Sequence, residues 1–164
     1  MSFLVRMINR AKWEPPVNSG IPADAITNDL KTSSNTLSFW KCDKPKINSE
    51  IELQDVALAL AAGRPKLDRL GLIYIEETAF SKMSLPLHQT PGNTPVDSLR
   101  NSHFDLVDLD FVRLGKVAYL IHGGLSDSHA LFSKAQVKEI IKDAISKGLL
   151  RKDSLSADLA NDIT

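Results

Sequence analysis

At 164 residues the chain can bury one core, and its 43% hydrophobic and 24% charged content is that of an ordinary globular domain. Twenty basic and twenty acidic residues cancel, which excludes a global field that would gather nucleic acid or an anionic membrane. The apolar runs are too short to span a bilayer, the first residues lack a signal-peptide core, and a single cysteine, Cys42, excludes an internal disulfide framework.

In chain order, Phe3 to Trp13 is written for a strand, with Val5, Met7, Ala11 and Trp13 alternating with Arg6, Arg10 and Lys12. A helical period through Leu4, Ile8 and Ala11 competes with it and is less favoured. Pro15-Pro16 and Asn18-Ser19-Gly20 then interrupt the chain. Pro22 opens a short helix to Leu30, because a proline in the first turn gives up no hydrogen bond. Thr36 to Trp40 alternates as a strand with Leu37 and Phe39 on its buried face, ending before Lys44-Pro45-Lys46. Ser49-Glu50-Ile51-Glu52 is a capping box, followed by the helical stripe Leu53, Val56, Ala57 and Leu60 and stopped at Gly63 and Pro65. Leu70 to Ile75 predicts a strand buried on both faces.

Residues 81–102 carry Pro86, Pro91, Gly92 and Pro95 and read as a long loop, with a turn or so of helix starting at Thr94-Pro95-Val96-Asp97. Phe104 to Ile121 fits two periods. A helical stripe runs through Phe104, Val107, Phe111, Leu114, Ala118 and Ile121, while Val107, Leu109 and Phe111 alternate with Asp108 and Asp110 as in a strand. The helix is favoured from Asp110 onward, with Gly123 as its left-handed cap and Ser126 to Ser128 as a polar connection. Ser133-Lys134-Ala135-Gln136 is a second capping box, Phe132 and Val137 form a hydrophobic staple, and Gly148 falls just past the end of that helix. The expected architecture is α+β: residues 1–150 as a single domain, a short mixed sheet with about four to five helices and a helix-rich C-terminal half. Residues 151–164 read as a polar tail or frayed helix.

His122-Gly123-Gly124 with Asp127, Ser128 and His129 contains the residue types of a hydrolytic triad. The lipase-like nucleophile elbow Gly-x-Ser-x-Gly is absent, and a helix end running into a loop explains the same residues without chemistry. Glu76 and Glu77 follow the buried strand, where ligand sites gather in α/β proteins, and would complete an acid–base set with His122, Asp127 or His129. Neither His122 and His129 nor His88 and His103 have helical zinc spacing, so no metal or other cofactor is expected. Phosphate-loop and dinucleotide fingerprints are also missing.

Trp13 and Trp40 sit among Arg6, Arg10, Lys12 and Lys41, as aromatic residues do at nucleic-acid or protein contacts, although core packing explains them equally well. His88 and Asn93 are the contact candidates of the 81–102 loop. A basic helix carrying Lys138 and Lys142 invites a nucleic-acid reading, which Glu139 and Asp143 weaken. The functional expectation is a cytoplasmic, non-enzymatic interaction protein with another protein as partner, either an accessory subunit or a specific inhibitor. A small hydrolase or nuclease comes second and a nucleic-acid-binding protein third.

Overall fold

The computed structural model describes residues 1–14, 20–43 and 53–164. Among these residues six strands, β1 (Phe3–Met7), β2 (Leu37–Cys42), β3 (Leu70–Glu76), β4 (Leu87–Gln89), β5 (His103–Leu106) and β6 (His129–Phe132), form one sheet in the order β4-β5-β2-β1-β3-β6. Each neighbouring pair is antiparallel, so the expected α+β domain has an antiparallel rather than a mixed sheet. The described residues hold six α-helices: α1 (Ala23–Asp29), α2 (Gln54–Ala62), α3 (Glu77–Lys82), α4 (Phe111–Gly124), α5 (Lys134–Ser146) and α6 (Ala157–Ile163).

The central strands are apolar on both faces because helices cover both. Val5, Trp40, Leu70, Leu72, Tyr74 and Phe132 pack with α2, α5 and α6 on one side. Leu4, Phe39, Ile73, Ile75 and Leu106 pack with Trp13, α1, α3 and α4 on the other. The register agrees, since Leu4 lies opposite Ile75 and Val5 opposite Tyr74. Strand β3 is therefore the doubly buried strand its uninterrupted apolar run predicts.

The N-terminal alternation does not continue to Trp13. Strand β1 ends at Met7, and a 3-10 turn follows at Arg10–Lys12. The Asn9 backbone N–H donates to the Asp29 carboxylate (2.9 Å), which diverts the donor a longer strand would have needed. The two periods of 104–121 resolve into two elements: Phe104 belongs to β5, and α4 begins after Asp110, whose carboxylate accepts the Arg113 N–H at 2.7 Å.

Gly123 is not a left-handed cap. Helix α4 continues through Gly124, and the next residue, Leu125, stays in the right-handed region at φ −61°. The polar connection at Ser126 to Ser128 is followed by a strand the sequence did not suggest, as His129 to Phe132 pairs with β3 as edge strand β6. Within 81–102, β4 and a 3-10 turn at Asp97–Ser102 supply short structured pieces. Helix α5 has both capping-box hydrogen bonds, Gln136 N–H to Ser133 Oγ and Ser133 N–H to Gln136 Oε1, and Gly148 takes φ +69° beyond it. Within 151–164, helix α6 buries Leu159 and Ile163 against the α2–α5 layer. The capping box at Ser49–Glu52 lies outside the described residues.

Candidate functional site

Two surface features stand apart from the packed layers. The first is a cavity of about 460 Å³ where β1, β3 and β6 reach the same end of the sheet, lined by the exit of β1 (Met7 to Ala11), the end of α1, the α2–β3 connection and β6. Its floor is built around Asp29, a buried carboxylate that accepts from the Asn9 N–H (2.9 Å), the Trp13 indole N–H (2.8 Å) and the Asn28 side-chain amide (2.7 Å). Arg6 lies beside it and donates to the carbonyls of Asp29 and Ser38 while covering the Phe39 ring. Burial pulls the Arg6 guanidinium down to about 10, against the attraction of Asp29, which opposes that shift.

At the mouth, Arg10 donates to Glu14 through Nε and Nη2, and Arg64 reaches Asp68 at 3.6 Å and the Met7 sulfur at 3.3 Å. His129 faces Gly71, where a Cβ would lie 3.2 Å from Nε2 and 2.7 Å from the Ile8 carbonyl oxygen. Gly71 is thus what lets the imidazole approach the sheet backbone. The His129 Nε2 is buried without a hydrogen-bond partner, and burial first, then Arg10, holds its pKa below the ordinary value of 6.5.

The second feature is the outer face of α4. Val117, Ala118 and Ile121 turn toward the sheet, while Phe111 is 91% exposed, Val112 68% and Tyr119 65%. Phe111, Gly115, Tyr119 and Gly123 succeed one another every fourth residue, so two aromatic knobs alternate with two gaps along one exposed ridge. A Cβ placed on Gly115 or Gly123 would meet nothing within 4 Å, so neither glycine is required by packing within the chain.

No protein-family model, curated protein or solved structure matches this chain.

The candidates for chemistry do not converge. His122 is in the last turn of α4, and Asp127 is an exposed turn residue whose backbone carbonyl accepts the Tyr74 hydroxyl at 3.2 Å. Glu76 ends β3 beside Thr78, and Glu77 opens α3 tied to Lys41 at 3.0 Å and to the Ser2 hydroxyl. Those contacts and opposing charge hold the Glu77 carboxyl below its usual range, the Ser2 hydrogen bond contributing most. Among the described residues, no hydrogen bond links His122, Asp127, His129, Glu76 and Glu77 to one another, and no three His, Cys, Asp or Glu side chains cluster as metal ligands.

Of the contact candidates, Trp13 and Trp40 are buried in opposite layers, and Arg6 is partly buried with its guanidinium on the carbonyls of Asp29 and Ser38. Arg10 and Lys12 lie on the 3-10 turn, with Lys12 4.0 Å from Asp24. Trp13 and α5 belong to opposite layers of the sheet. His88 is exposed on edge strand β4, and Asn93 lines a groove with Arg64 and Arg100. The sequence reading missed Phe111, Val112 and Tyr119 as surface residues, because the helical stripe assigned Phe111 to the buried side. The four-residue alternation of aromatic and glycine was the available signal.

Proposed function

We propose that the protein is a non-enzymatic interaction module of the cytoplasm, an accessory subunit or specific inhibitor that docks an apolar helix of another protein on the outer face of α4. The observation that carries this is the exposed Phe111–Gly115–Tyr119–Gly123 ridge. Knobs and gaps spaced by four are what a second helix needs for ridge-into-groove packing, at a crossing of about −50° and an axis separation of about 8 Å. Phe111, Val112 and Tyr119 offer on the order of 400 Å² of apolar surface, about half of one side of a standard interface. They would form its centre, with polar residues at the rim.

The 81–102 loop is a weaker docking surface. Val96 and Thr94 are buried, and Gly92 packs so closely on Trp40 that a Cβ would lie 2.4 Å from the indole. A single cysteine and balanced charge support the cytoplasmic assignment.

The test is affinity capture from native extract with three baits: the wild type, a Phe111→Ser/Tyr119→Ser variant, and a Lys138→Ala/Lys142→Ala control. A stoichiometric protein held at high salt by the wild type and control, lost from the α4 variant, and crosslinked by a photoreactive group at position 119 is the expected result. Retention that ignores the α4 changes would refute the proposal.

A further inference from the structure

We propose that the cavity between β1, β3 and β6 binds a small phosphate monoester, with Arg10, Arg64 and Arg69 around the phosphate and Met7 and Leu131 against the organic part. Three guanidinium-bearing residues from two separate chain segments line one concavity of about 460 Å³, within the range of small-ligand pockets.

The carboxylates nearby do not tie up all three guanidinium groups. Asp29 is already committed to three N–H donors. Asp68 divides itself between the Arg69 backbone N–H at 2.8 Å and Arg64 at 3.6 Å. Arg69 has no ion-pair partner among the described residues, and Arg10 is held only by Glu14, in an exposed pair that water weakens.

A tetrahedral dianion can engage guanidinium forks from several directions at once, whereas a planar carboxylate is satisfied by one. His129 lines the same wall, so its ring signals report on a ligand held there. Met7 and Leu131 are exposed apolar residues on the cavity wall, which a ligand with an organic body would cover and inorganic phosphate would not.

The experiment titrates the full chain with inorganic phosphate and with phenyl phosphate at constant ionic strength, chloride serving as the control. Arginine side-chain and His129 ring signals are followed by NMR, with calorimetry in parallel. Saturable shifts confined to the cavity are expected, with phenyl phosphate binding roughly tenfold more tightly than inorganic phosphate. Arg69→Gln should weaken both ligands roughly tenfold without changing the melting temperature, because Arg69 is exposed. Leu131→Ser should remove the advantage of phenyl phosphate and leave inorganic phosphate unaffected.

Non-saturable shifts, or equal affinity in a folded Arg69→Gln protein, would overturn the assignment. So would a single-stranded oligonucleotide that outcompetes phenyl phosphate, by assigning the arginines to a polymer backbone. None of these outcomes depends on the α4 face, so the two proposals stand or fall separately.

Discussion

Replacing Gly115 and Gly123 with alanine should make the protein more stable while weakening its docking. A glycine inside a helix is less favourable than alanine by about 0.5–1 kcal/mol, because more backbone freedom is lost on folding. At both positions the added methyl meets nothing within 4 Å, and neither residue has a positive φ. Gly115 lies well inside α4 and should yield the full amount, while Gly123, next to the last residue, should yield less. The double variant should therefore gain about 1.5 kcal/mol, which in a chain of this size raises the melting temperature by about 3–6 °C. Urea and thermal unfolding measure this limb. The second limb is the partner's affinity: filling the gaps pushes an opposing helix outward and should weaken docking about tenfold or more. Lower stability would mean that the glycines serve the monomer. Unchanged affinity would mean that the ridge is not the contact.

Asp29→Ala removes the acceptor of the Asn9 and Trp13 N–H groups and should cost about 3 kcal/mol, with red-shifted tryptophan emission; a loss under about 1 kcal/mol would contradict its role as the hub of that corner. His129 binds its proton more weakly when folded than its ordinary value of 6.5. The unfolded chain therefore takes up more protons as pH falls, so this contribution is complete above about pH 6.5 and is lost as pH drops through the folded value. His129→Gln should flatten the change in urea midpoint between about pH 7 and pH 5, and an identical slope in both proteins would exclude the histidine as its source. Gly71→Ala brings a Cβ to 2.7 Å from the Ile8 carbonyl oxygen and should destabilise by about 1–3 kcal/mol; a neutral effect on the melting temperature would show that the β1–β3 crossing yields easily.

Helix α5, the position of α4 and strand β3 were legible in the sequence, because each rests on relations within a few residues. Ser133 and Gln136 cap each other, Asp110 caps the helix it precedes, and an unbroken apolar run implies cover on both faces. The fates of Arg6 and Trp13 were decided by Asp29, which follows Trp13 by sixteen residues and meets it only after α1 folds back against β1. Strand β6 is a four-residue segment that owes its strand state to β3, more than fifty residues earlier. The α4 face shows the same division at one helix. Local chemistry set where α4 begins, but Phe111 faces outward because Val117, Ala118 and Ile121 fit against the sheet. Caps and periods act between residues already close along the chain. Facing, register and the shared corner of Asp29 are set by which distant surfaces bury each other, and that is decided only when the sheet closes.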